Sequence, residues 1–117
     1  MKKLLLIVSA FCLFIFTANS WAGGDIAAGK AAAEKFGCVA CHGVDFNTPI
    51  DPTYPKLAGQ HQDYLAHTLV AYQRGAEVRN GRVNAIMNGQ AKALSSKDIQ
   101  NIAAYIHSLP GTLVVRK

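Results

Sequence analysis

The amino-acid sequence predicts an all-α fold of about four helices. Three observations predict it. Four stretches place apolar residues at helical spacing, capping or stopping residues bound them, and no stretch alternates apolar with polar residues as a strand would. With 117 residues the chain holds one domain at most.

The first 22 residues read as an export signal that precedes the fold. Lys2 and Lys3 form a positive start, and Leu4 to Phe16 is an almost unbroken apolar run. Ser20-Trp21-Ala22 then places small residues at both positions a signal peptidase reads, so cleavage is expected after Ala22. The run is short of the roughly 20 apolar residues that a membrane-spanning helix requires, and an uncleaved anchor is the alternative. Cys12 lies in the middle of the run behind Phe11, which argues against a lipid-modified cysteine. The domain is then expected over residues 23–117. Lys2 and Lys3 leave with the signal, so twelve basic residues fall to ten against seven acidic ones, and the formal charge falls from +5 to +3. This mildly basic composition is not that of a nucleic-acid binder. Cys38 and Cys41 are the cysteines that remain, and Met87 is the one methionine. A domain this small buries a limited share of its surface, so a cofactor or crosslink would add needed stability.

The first helix is expected from about Asp25 to Phe36, with Asp25 as N-cap, a run of alanines inside and Gly37 as the stop. The second is expected from about Gln60 to Arg74. Tyr64, Leu65, Leu69 and Tyr72 lie near one face of it, and Gly75 ends it. A short third helix is expected from about Val83 to Asn88. The fourth runs from about Ser96 to Leu109, where Ser95 and Asp98 resemble a capping box and Ile99, Ile102, Ala103 and Ile106 form the apolar face. Pro110-Gly111 stops it. Between the first two helices, residues 43–59 form a long loop with Pro49, Pro52 and Pro55. Loops this long in small domains are usually functional or disordered, and wrapping a ligand is a natural use for this one.

Cys38-Val39-Ala40-Cys41-His42 carries the chemistry. C-x-x-C-H is the heme-attachment signature. Two thiols one helical turn apart can attack the two heme vinyl groups, and the histidine that follows can meet the iron. Attachment of this kind occurs outside the cytoplasm, which agrees with the export signal. Three other readings compete. A redox-active disulfide in a thioredoxin-like domain needs strand–helix alternation, which is absent. A zinc site needs two more ligands, and His61, His67 and His107 have no recognisable metal spacing. A structural disulfide across so short a loop gains little from crosslinking. For the sixth iron position Met87 is the candidate, because it lies between two longer helical segments, well downstream of the cysteines, and Met/His ligation is common in small cytochromes. A second histidine or an open position are the alternatives. His61, His67 and His107 read as surface or supporting residues.

With these residues in view, the sequence resembles a class I cytochrome c. Within that class it is similar to one domain of the diheme cytochromes of the c4 type and to related short monoheme cytochromes c. The resemblance covers nearly the whole expected mature chain. It rests on Gly24-Asp25 with Gly29-Lys30, on Cys38 to Gly43, on Tyr54 to Gln60 with Tyr64-Leu65, and on Tyr72, Gly75 and Arg79-Asn80. It continues through Met87, seven residues before Leu94-Ser95, to Asp98-Ile99 and Ala103 to Ile106. The fold this implies is about four helices wrapped around one covalently bound heme c. Cys38 and Cys41 would hold the heme, with His42 and Met87 as axial ligands of the iron. Pro55 would offer its carbonyl to the ring N–H of His42, although three prolines in the loop compete for that role. Gly29 would permit close crossing of the first and last helices, with Tyr105 packed nearby. Two departures stand out. Family members often have glycine after the loop aspartate, where this chain has Phe46, which is expected to alter how the loop covers the heme edge. There is also one attachment motif only, so the diheme arrangement is absent.

The resemblance implies an electron carrier of the periplasm, not an enzyme, that exchanges single electrons with donor and acceptor proteins. The alternative is a heme-bearing subunit or module of a larger oxidase or dehydrogenase complex. A heme peroxidase or small-ligand binder would need an open sixth position and a distal acid–base pair, and no such pair is recognisable. No nucleic acid is expected as partner, no membrane span is expected after cleavage, and the state expected is a monomer or weak dimer. Arg74, Arg79 and Arg82 cluster just before Met87 and form a candidate docking patch.

Overall fold

The computed structural model describes residues 23–112. The expected signal over residues 1–22, with its cleavage after Ala22, lies outside the described residues, as do residues 113–117. Among the described residues five α-helices carry the fold: α1 (Ile26–Lys35), α2 (Cys38–His42), α3 (Gln62–Arg74), α4 (Ala85–Lys92) and α5 (Ser96–Ser108). A 3-10 turn, Gly75–Glu77, follows α3. Among the described residues there is no strand, and no helix is long and apolar enough to cross a membrane.

Local chemistry sets most of the helix ends. The Asp25 side chain accepts the Ala28 N–H at 2.7 Å and so starts α1. Gly37, with φ of 70°, turns the chain between α1 and α2 in a left-handed conformation that costs an L residue about 1–2 kcal/mol. At α5 the expected capping box is present. Ser95 Oγ accepts the Asp98 N–H at 3.1 Å, and the Asp98 carboxylate accepts the Ser95 N–H at 2.9 Å. Two boundaries differ from expectation. α3 starts at Gln62 and not Gln60, because Gln60 closes a turn over residues 57–60 by donating its N–H to the Leu57 carbonyl. α4 runs four residues further than the expected Val83–Asn88, because Asn84 is its N-cap and Gly89 continues the helix.

The principal packing is the crossing of α1 and α5, with α3 against α5 and α4 against α3. Ala33, Ala103, Ile99, Ile102 and Ile106 fill the core, together with Phe46 and Ala58 from the long loop. Gly29 makes the crossing possible. A Cβ placed there would fall inside van der Waals contact of the Asn101 carbonyl oxygen and crowd the Tyr105 Cβ. The buried Asn101 Oδ1 accepts the Asp25 N–H at 2.8 Å and ties the start of α1 to α5. Gly29→Ala is therefore expected to destabilise the protein by about 2–3 kcal/mol, since overpacking outweighs the roughly 1 kcal/mol gained in helix propensity. Thermal unfolding of the heme-bearing protein should register this as a fall in midpoint, and an unchanged or higher midpoint would contradict the close crossing.

Candidate functional site

The attachment motif sits on a single helical turn. α2 brings Cys38 and Cys41 to neighbouring positions; both are half-buried and free, not joined as a disulfide. Burial pushes the Cys38 thiol above its ordinary range, backbone hydrogen bonding opposes the shift, and the charge of Cys41 adds to it.

His42 ends the turn and is 8% exposed. Its Nδ1 lies 3.0 Å from the Pro55 carbonyl oxygen. A carbonyl oxygen can only accept, so Nδ1 carries the proton and the neutral ring keeps its lone pair on Nε2. Nε2 has no hydrogen-bond partner among the described residues. Of the three loop prolines, Pro55 alone makes this contact.

The loop that delivers Pro55 is braced by its own carboxylates. Asp45 accepts the N–H groups of Asn47 and Thr48 at 2.9 Å each, as well as the Thr48 hydroxyl. These donors hold its carboxyl down at about 2, the Thr48 hydroxyl contributing most. Asp51 accepts the Thr53 N–H at 2.8 Å and the Thr53 hydroxyl at 2.5 Å, which lowers its carboxyl in the same sense. Ile50 N–H returns to the Cys41 carbonyl at 3.1 Å, so the loop is pinned to α2.

Phe46 departs from the expectation in an instructive way. Its φ is +52°, the conformation that favours glycine, yet its ring is wholly buried. The ring lies nearly parallel to His42 at 6.3 Å and edge-on to Tyr105 at 6.0 Å. The strained backbone costs about 1–2 kcal/mol, and burying a phenylalanine contributes about 1.5–3 kcal/mol, so burial offsets the strain. Phe46 thus turns inward and supports the His42 ring, where Tyr54 also packs at 6.4 Å. Its carbonyl accepts the N–H groups of Leu57 and Ala58 at 2.8 and 3.0 Å, which closes the loop just past Pro55.

Met87 is half-buried in the first turn of α4, between α3 and α5 in the chain. Asn84 Oδ1 accepts the N–H groups of Ile86 and Met87 at 3.1 and 3.0 Å. An asparagine at this position is a strong N-cap signal, and it sets the helix start past the expected Val83. α2 is carried by α1 and α4 by α3, so the scaffold holds His42 and Met87 on separate supports. The segments beside them leave Val44, Ile50, Val83 and Ile86 exposed by half or more. Two free thiols, an imidazole with a free Nε2, a thioether and flanking apolar side chains make a donor set that fits heme c.

The remaining histidines stand apart from this set. His61 and His67 are exposed on or beside α3, and His107 Nδ1 donates to the Gln60 carbonyl at 2.8 Å. Among the described residues no three histidine, cysteine, aspartate or glutamate side chains come together as a metal site. Two of the three arginines share a groove. Arg74 and Arg82 line a groove of about 370 Å³ along α3 with Tyr64, His67 and Asn80, but Arg79 does not line it. The Arg82 guanidinium lies over the Tyr64 and Tyr72 rings at 5.6 and 5.9 Å, and its proximity lowers the Tyr64 hydroxyl below its ordinary range.

Comparison with known proteins agrees with this geometry. The cytochrome c family model matches residues 26–110. Cytochrome c-554(548) of Halomonas halodenitrificans is 45% identical over 86 residues, covering 73% of this chain and 96% of that protein. Cytochrome c4 of Stutzerimonas stutzeri is 38% identical over 117 residues, covering 97% of this chain and 53% of that protein. The crystal structure of reduced recombinant cytochrome c4 from Pseudomonas stutzeri superposes with a TM-score of 0.67 at 38% identity, covering 77% of this chain and 48% of that one. The chain thus spans nearly all of the c-554(548) protein and about half the length of the c4 proteins. Its helical fold is that of a class I cytochrome c, and the chain belongs to the cytochrome c family as an electron carrier, not an enzyme, with covalently bound heme c.

Proposed function

We propose that this chain carries single electrons in the periplasm, with its heme joined to Cys38 and Cys41 and ligated by His42 and Met87. The observation that carries the reading is the 3.0 Å bond between His42 Nδ1 and the Pro55 carbonyl. It fixes the ring and its tautomer, and it leaves Nε2 as the nitrogen able to bind a metal. When bound, heme c supplies an iron couple that accepts and returns one electron.

The protein residues have separable tasks. Cys38 and Cys41 anchor. Pro55 orients His42 and makes it a better donor, while Phe46 and Tyr54 keep its ring from tilting. Met87 offers a thioether, which favours ferrous over ferric iron and raises the potential. With His42 and Met87 both holding the iron, a substrate would have no access to the metal, which would suit a carrier. The export signal over residues 1–22 supports the periplasmic assignment, and the domain over residues 23–117 would be the mature carrier, meeting donor and acceptor proteins there as a monomer or weak dimer.

The test is a mass spectrum and redox titration of the protein purified from periplasm. The expected polypeptide begins at Gly23, carries the added mass of one heme and titrates with a single one-electron wave. A chain that retains Met1 and stays with the cytoplasmic fraction, or one without a one-electron transition, would contradict the proposal.

A further inference from the structure

Asn88 follows Met87 and makes more contacts than its position suggests. Its Nδ2 donates to the Tyr72 carbonyl at 2.6 Å and to the Arg82 carbonyl at 2.8 Å. Its Oδ1 accepts the Asn84 N–H at 2.7 Å. The amide orientation is forced, because a flipped group would set its oxygen against two carbonyls and its NH2 against an N–H. One side chain therefore clasps three segments: the last turn of α3, the loop before α4, and the residue that caps α4. Asn84 in turn accepts the Met87 N–H at 3.0 Å. Arg82 N–H, donating to the Ala71 carbonyl at 2.9 Å, anchors the same loop to α3 from the other side.

We infer that Asn88 is a positioning residue for Met87. Its carboxamide fixes the backbone from which the thioether projects, so that the sulfur is held ready for the iron. This rests on Met87 being the axial ligand. The far end of α4 has a brace of its own: Gln73 Nε2 donates to the Ala91 and Leu94 carbonyls at 2.9 and 2.8 Å. Gln73 makes a similar number of bonds to the same helix but does not touch the turn that carries Met87, which makes it the control.

The probe is imidazole binding to the ferric, heme-loaded protein, because the thioether must leave before imidazole can enter. Loss of the Asn88 bonds should raise the binding rate by about ten- to a hundred-fold, as expected when a partly buried hydrogen bond, to the Tyr72 carbonyl, and an exposed one, to the Arg82 carbonyl, are removed together. Asn88→Ala and Asn88→Asp should both do this while keeping the heme. Asn88→Asp preserves the size and the acceptor for the Asn84 N–H but removes both donors, and so serves if the alanine variant does not fold. Gln73→Ala should unfold more easily yet bind imidazole at the wild-type rate.

If both Asn88 variants bind at the wild-type rate while Met87→Ala binds far faster, Asn88 does not position the ligand and Met87 keeps its role. If Met87→Ala binds no faster than wild type, the ligand assignment itself is wrong and the inference goes with it. If Gln73→Ala accelerates binding as much as the Asn88 variants do, general loosening of α4 explains the effect and the inference is overturned.

Discussion

Met87→Ala is expected to leave the heme on the chain and open the sixth iron position. Cys38, Cys41 and His42 are untouched by the change, and α2, which carries them, packs against α1. No other methionine follows Met1, so no sulfur replaces the lost thioether. The reduced variant should bind carbon monoxide and the ferric variant cyanide. The weak long-wavelength band of an iron–thioether bond should disappear. The potential should fall, because oxygen or nitrogen donors stabilise ferrous iron less than a thioether does. A variant that keeps the wild-type band and refuses carbon monoxide would place the sixth ligand elsewhere.

Changing Cys38 and Cys41 together to alanine should convert a pigment that survives acid–acetone extraction into one that is almost wholly extracted. In the wild type two thioether bonds to Cys38 and Cys41 would resist denaturant, whereas the double variant would retain only the contacts of the folded pocket. The heme-free fraction should also lose cooperative thermal unfolding, since a small domain with exposed Val44, Ile50, Val83 and Ile86 would depend on its cofactor to cover apolar surface. Pigment that extracts freely from the wild type would refute covalent attachment through these cysteines. A cooperative transition in the heme-free chain at the wild-type temperature would refute the folding claim.

Much of the architecture is legible where local chemistry decides it. Asp25 and Gly37 bound α1, and the Ser95–Asp98 box starts α5, because a cap needs only residues within a turn of each other. The attachment motif is legible for the same reason, its three residues lying on a single turn. The bounds of α4 differ from the expected Val83–Asn88 because Asn84 caps the helix and Gly89, a residue that ordinarily weakens a helix, lies inside it. Pro55 could not be chosen among three prolines by spacing alone, because the choice depends on where the loop returns to α2. The inward turn of Phe46 depends on Tyr105, 59 positions away in the chain, and on carbonyl contacts that close the loop. The clasp of Asn88 was invisible because two of its partners are backbone carbonyls, which carry no sequence identity.

His42 and Met87 would together hold the heme iron in a six-coordinate state. The most direct test is the absorption spectrum of the wild-type protein, produced in a host that attaches heme, recorded ferric and then reduced under carbon monoxide. The account predicts the long-wavelength thioether band in the ferric protein and no change on adding carbon monoxide to the reduced one. A ferric spectrum without that band, together with ready carbon monoxide binding, would make Met87 a packing residue and the chain a ligand-binding heme protein.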